Sequence, residues 1–125
     1  EATRYFLNLS NITVEDIQTL ARSYQFDAAL RTEPYMNVRV GNHIAPQGGP
    51  GIAIQLQAIL DDAMALRMPY YVHLAYENLH PFTDGNGRTG RALWLWQMVK
   101  LDRYKPQLGF LHTWYYQSLA YAEKS

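Results

Sequence analysis

The sequence predicts a mostly α domain carrying one small β-hairpin. Three observations lead there. Apolar residues recur at helical spacing through several successive stretches of 125 residues. One short β-branched stretch, with Val38, Val40 and Ile44, surrounds the turn pair Gly41-Asn42. Glycine and proline punctuate the chain between these stretches at short intervals, and the short connections show no obvious linker or second domain.

In chain order, Thr13 is a helix cap with Glu15 and Asp16 in the first turn behind it. Ile17, Leu20, Ala21, Tyr24 and Ala28 continue at helical spacing, so a helix is expected over 13–32, stopping before Pro34. The hairpin occupies Tyr35 to Ala45. Pro46 to Gly51, with its glycines and prolines, is expected as loop. Ile52, Leu56, Ile59, Leu60 and Ala63 form the apolar face of the next helix. Pro69 suits the first position of another, which carries Val72, Ala75, Tyr76 and Leu79 and ends at His80 before Pro81. Pro81 to Gly90 is expected as a loop, followed by a helix over Ala92 to Lys100. After Pro106 and Gly109, Thr113 caps a last helix over 113–123, with Tyr115, Tyr116 and Tyr121 as an aromatic stripe.

The chain fits one domain, and about half its residues are apolar, enough for one core. Eleven basic side chains balance 11 acidic ones, which argues against a broad nucleic-acid or anionic-membrane surface. There is no Cys, hence no disulfide framework and no thiolate metal site, in keeping with a cytosolic protein. No stretch approaches a membrane span and no secretory signal is read at the N-terminus. The chain opens at Glu1 rather than Met, and what precedes it is left open.

The informative stretch runs from His80 to Arg91. Gly85, Gly87 and Gly90 strip side chains from a backbone entering a helix, where bare N–H groups make an anion site. Arg88 and Arg91 stand three apart on one face, where they oppose the helix dipole unless an anion joins them. Polyphosphate suits that pair. Asp84, beside the glycines, is a candidate Mg²⁺ ligand, since this ion takes one or two carboxylates plus phosphate oxygens. His80 is the side chain best suited to take a proton near neutral pH. Two commoner motifs fail here. Gly85 to Gly90 matches G-x-G-x-x-G, but a helix precedes it instead of a strand. Arg91-Ala92 stands where a P-loop needs Lys-Ser/Thr.

The stretch His80-Pro81-Phe82-Thr83-Asp84-Gly85-Asn86-Gly87-Arg88-Thr89-Gly90-Arg91 resembles the signature of the Fic domain family, H-P-F-x-[D/E]-G-N-G-R-x-x-R, at every specified position. The resemblance spans about 34–101. It implies a compact Fic-like helical domain that moves AMP from ATP to a Ser, Thr or Tyr hydroxyl of a target protein, a protein adenylyltransferase. By resemblance, His80 is the general base and Asp84 holds Mg²⁺. Asn86, with backbone N–H groups around Gly85 and Gly87, positions the α-phosphate, and Gly90 belongs to the same nucleotide-binding loop. Arg88 and Arg91 bind the outer phosphates, and Phe82 anchors the loop. The hairpin becomes a flap, Val38, Arg39, Val40, Gly41, Asn42, His43 and Ile44, that holds the target by strand addition. A relative that phosphorylates its target carries Lys at the place of Gly87, so glycine here favours attack at the α-phosphate.

Family members often carry an inhibitory helix with the pattern [S/T]-x-x-x-E-[G/N]. Glu1, Glu15, Glu33, Glu77 and Glu123 all fail it, which points to a separate antitoxin-like partner or to a segment outside this sequence. Family habit suggests the bacterial cytoplasm, with secreted effectors left open. Other enzymatic readings are removal of AMP, or transfer of UMP, phosphate or phosphocholine. The non-enzymatic one is a nucleotide-dependent binding module. His43 in the flap is a candidate contact, whereas His73 and Glu77 at i,i+4 read as a surface pair, and Trp94, Trp96, Tyr70, Tyr71 and Tyr76 as packing aromatics.

Overall fold

The computed structural model describes residues 1–104. The helix expected over 113–123 and the stripe Tyr115, Tyr116 and Tyr121 lie outside the described residues. Five helices and a hairpin are present among the described residues: α1 (Ala2–Leu7), α2 (Val14–Tyr24), β1 (Arg39–Val40), β2 (His43–Ile44), α3 (Pro50–Met64), α4 (Pro69–Leu79) and α5 (Asn86–Tyr104). The mostly α class with one small hairpin is as the sequence predicts.

Local chemistry explains most boundaries. α1 was not anticipated; it is short, and the Glu1 carboxylate caps it by accepting from the Thr3 N–H. α2 begins with a capping box, in which Thr13 accepts from the Asp16 N–H and Asp16 accepts from the Thr13 N–H. It ends at Tyr24, well short of the expected 32. The reason is tertiary. Ala29, Leu30 and Arg31 leave helical geometry because their backbone groups pair with the motif loop: Thr83 N–H donates to Ala29 O, Leu30 bridges Phe82, and Arg31 N–H donates to Pro81 O. Ala28 stays buried without being helical.

In the hairpin, Arg39 faces Ile44 and Val40 faces His43, so Gly41 and Asn42 form a two-residue turn. α3 starts two residues earlier than the expected Ile52, because Pro50 is preorganised for a first helical turn. Its buried residues, Ile52, Leu56, Ile59, Leu60 and Ala63, are those the periodicity selects. α4 starts at Pro69 and buries Val72, Tyr76 and Leu79, while Ala75 stays exposed.

α5 is the central helix and packs against all four others. Leu93 and Trp96 enter the core, and the Trp96 indole donates to Leu9 O at 2.9 Å. Tyr76 on α4 hydrogen-bonds the Thr89 hydroxyl on α5. Thr89 in turn reaches the Gly85 and Asn86 carbonyls, so the Tyr76 phenol is the donor to it. This buried pair fastens the first turn of α5 to α4.

The loop between flap and α3 is set by a close approach. A Cβ on Gly48 would stand 2.3 Å from Glu33 O and 2.8 Å from Met36 O, both backbone atoms. We expect Gly48→Ala to lower stability by about 1–3 kcal/mol. Gly51→Ala, whose Cβ would meet only the Gln55 amide at 3.8 Å, should be neutral or slightly stabilising. Urea unfolding of the two variants checks this, and equal effects would refute the steric account.

Candidate active site

The site lies where α4 gives way to α5. Pro81 prevents α4 from continuing, and its cap residue His80 turns left-handed, with φ 51° and ψ 62°. Phe82 is fully buried in the core and anchors the loop, as the motif suggests. The chain then reverses through Gly85, whose φ of +78° disfavours any residue with a Cβ. α5 begins at the next residue. The expectation of a loop through Gly90 is therefore corrected, since Gly87 and Gly90 are helical. Both are bare because something lies close. Arg91 Nη1 folds back to 3.3 Å from where a Gly87 Cβ would stand. A Gly90 Cβ would collide with Glu77 Oε1 and crowd the Tyr76 ring.

A cleft of about 320 Å³ is lined by His80, Thr83, Asp84, Gly85, Asn86, Gly87, Arg88 and Arg91. Gly90, expected among the nucleotide contacts, does not line it; it is buried against α4. Asn86 lines the cleft, but its side-chain amide is engaged elsewhere. Its side chain is 3% exposed and grips the backbone of Phe82 twice, accepting from Phe82 N–H at 2.8 Å and donating to Phe82 O at 2.7 Å. What Asn86 offers the cleft is its main-chain N–H. Gly85 O takes the first intrahelical bond, from Thr89 N–H at 3.0 Å. The N–H groups of Asn86, Gly87 and Arg88 thus have no acceptor in their own helix and form an anion nest.

The cations have seats that the sequence did not reveal. Arg88 stacks over the Tyr24 ring at 4.2 Å, and the Tyr24 hydroxyl is 2.6 Å from Thr3 Oγ1. α2 and α1 therefore support a residue that lines the cleft. Arg91 is half-buried, beside Glu77 and His73 of α4. His73 Nδ1 lies 3.3 Å from Gly90 O, while its Nε2 is 3.9 Å from Glu77 Oε1. This pair is half-buried and braces α4 against α5, unlike the surface pair the spacing suggested. Burial lowers the His73 pKa, with the Gly90 carbonyl opposing and Arg91 assisting. Burial raises that of Glu77, with Arg91 opposing.

His80 has a depressed pKa. Burial is the main cause, and the charges of Arg31 and His43 add to it, while the Glu77 carbonyl pulls the other way. Nδ1 is buried and makes no hydrogen bond of good geometry among the described residues, so Nε2 is the nitrogen left to face the cleft. The imidazole is neutral near pH 7 and can accept a proton. His43 of the flap contacts Asn78 O at 2.8 Å through Nε2, which ties the flap to the last turn of α4. Of the other flap residues, Val38, Arg39, Gly41, Asn42 and Ile44 do not line the cleft.

Asp84 is exposed at the rim, and its Oδ1 accepts from the Gly85 N–H at 2.8 Å. No group of three or more His, Cys, Asp or Glu comes together among the described residues, so these residues alone build no metal cage. A single rim carboxylate fits an ion that draws its other ligands from phosphate and water, as Mg²⁺ does. No helix among the described residues is long and apolar enough to cross a membrane.

No curated protein matches the chain. The model of the Fic/DOC family matches residues 4–98, beginning upstream of the segment that carried the resemblance. That span takes in the N-terminal helices behind Arg88, the flap, and the cleft with its flanking helices, and the chain belongs to the Fic/DOC family.

Proposed function

We propose that this protein moves AMP from ATP onto a Ser, Thr or Tyr hydroxyl of a target protein. One observation carries the reading: a neutral His80, an anion nest and two arginines face one cleft formed by a single turn of chain. Nε2 of His80 takes the hydroxyl proton as the hydroxyl oxygen bonds to the α-phosphorus. The bond from the α-phosphorus to the bridging oxygen breaks, and pyrophosphate leaves with that electron pair. The nest at Asn86, Gly87 and Arg88, with the Arg88 and Arg91 side chains, holds the polyphosphate and meets the charge that builds on it. Asp84 is the residue that would hold Mg²⁺, which adds neutralising charge on the phosphates when bound. The target strand lies along the flap, Val38 to Ile44, and main-chain pairing presents its hydroxyl. An antitoxin-like partner that blocks the outer phosphate subsite belongs to the same proposal, because unrestrained modification is toxic.

Incubation with bacterial lysate and either α-labelled or γ-labelled ATP tests the reading. Label is expected on protein from the α-position only. Label from the γ-position makes the protein a kinase, and label from neither favours another donor or removal of AMP. The same assay reads the base. His80 works unprotonated and its pKa is lowered, so the acid limb of the rate profile should have its midpoint below the usual 6.5. Transfer should be flat above neutrality; a midpoint above 6.5 would exclude the environment described for His80.

A further inference from the structure

Arg31 is fully buried, yet among the described residues it has no carboxylate partner. An unpaired buried guanidinium is costly, and a fold that keeps one has satisfied it otherwise. Here it is satisfied by carbonyls. Nε donates to His80 O at 2.6 Å, and Nη2 to Leu79 O at 2.8 Å. Nη1 donates to Met36 O and Pro46 O, both at 2.9 Å. The first two acceptors are the end of α4 and the candidate base itself. The other two bracket the hairpin, one before β1 and one after β2. The Arg31 backbone adds two more ties: its N–H donates to Pro81 O and its carbonyl accepts from Gly49 N–H, each at 2.9 Å. One residue thus touches the base, the start of the motif loop, both legs of the flap and the entry to α3.

We propose that Arg31 is a positioning residue that locks the flap and His80 into one frame, so that a hydroxyl presented by the flap arrives at a fixed distance from Nε2. The inference deepens the transfer reading above and rests on it. The planar fork of arginine is required, because its donors point in opposed directions at fixed angles. A lysine keeps the charge but offers its donors from one point, so it cannot hold the α4 carbonyls and both flap legs together. A role in packing alone would lower stability without separating flap from base. A positioning role shows itself as a split between nucleotide binding and turnover, since the phosphates are held by residues that Arg31 does not touch.

The test uses Arg31→Lys and Arg31→Gln in the full chain, with hydrogen exchange and label transfer from α-labelled ATP. Flap amides over 38–45 should exchange at least about tenfold faster, with those of α3 and α5 nearly unchanged. Turnover should fall about tenfold to a hundredfold, the scale of a misplaced reacting group, while the KM for ATP stays within about twofold. Either folded variant suffices. Unchanged flap exchange overturns the proposal. So does a parallel loss of turnover and ATP affinity, or global unfolding of both variants, each of which leaves Arg31 a structural role only. If the unsubstituted protein transfers no label, the transfer reading falls, and the exchange result alone decides whether Arg31 fixes the flap.

Discussion

His80→Asn is expected to reduce α-label transfer by about 10²–10⁴-fold, the usual contribution of a positioned base. Asparagine is the informative replacement. His80 sits in left-handed geometry at φ 51° and ψ 62°, which Asn tolerates better than other residues bearing a Cβ. An alanine has no polar side chain to support the left-handed geometry, so its variant would confuse loss of the base with a shifted loop. The Asn variant should melt close to the unsubstituted protein. It should also bind ATP as before, because the nest at Asn86 to Arg88 and the two arginines are untouched. Transfer above about a tenth of the original rate would mean that the proton goes elsewhere.

Asn86→Ala should be the most damaging single change to the fold of the site. It removes both bonds to the Phe82 main chain and leaves a buried N–H and a buried carbonyl without partners. At about 1–3 kcal/mol for each of the two orphaned groups, the loss is roughly 2–6 kcal/mol. That is a large share of the total stability of about 5–15 kcal/mol typical of such a domain. Urea unfolding measures it. Asn86→Asp retains an acceptor for the Phe82 N–H but lacks the donor to its carbonyl, so it should lose less stability. It also places a new negative charge beside the anion nest and should weaken ATP binding more than Asn86→Ala does at equal folded fraction. A loss under about 1 kcal/mol for Asn86→Ala would show that water satisfies the Phe82 groups and that the side chain is not the clasp of the loop.

Much of this architecture was legible in the sequence, for reasons that also mark where legibility stops. α3 and the start of α4 follow from periodicity and proline because their faces pack on one continuous core. The cleft was legible because most of its parts are neighbours in the chain, and one turn brings His80, Asp84 and Arg88 together. α5 was read as starting too late because glycine lowers helix propensity by about 1 kcal/mol. Gly87 and Gly90 look like loop until Arg91 and Glu77 are seen pressing on them. α2 was read as too long because Ala28 keeps its helical spacing, while the partners of Ala29 to Arg31 lie some fifty positions away. Tyr24 under Arg88, His43 on Asn78 and Arg31 at the flap share that problem. Each acts through a contact between distant segments, and a lone arginine beside Leu30 reads like any solvated charge.

The Arg31 guanidinium also bears on the proton affinity of the base. A histidine at the carboxyl end of a helix ordinarily holds its proton more tightly, because unpaired carbonyls collect there. α4 ends in such carbonyls, but those of Leu79 and His80 are already taken by a fixed cation. His80 therefore sits at a helix pole whose sign has been cancelled, while the opposite pole, at the start of α5, stays open to phosphate a few residues on. The turn between them is electrically lopsided. In the transfer proposed above, such a turn would attract the anionic donor and hold the transferred proton only loosely, leaving the imidazole able to release it before the next cycle.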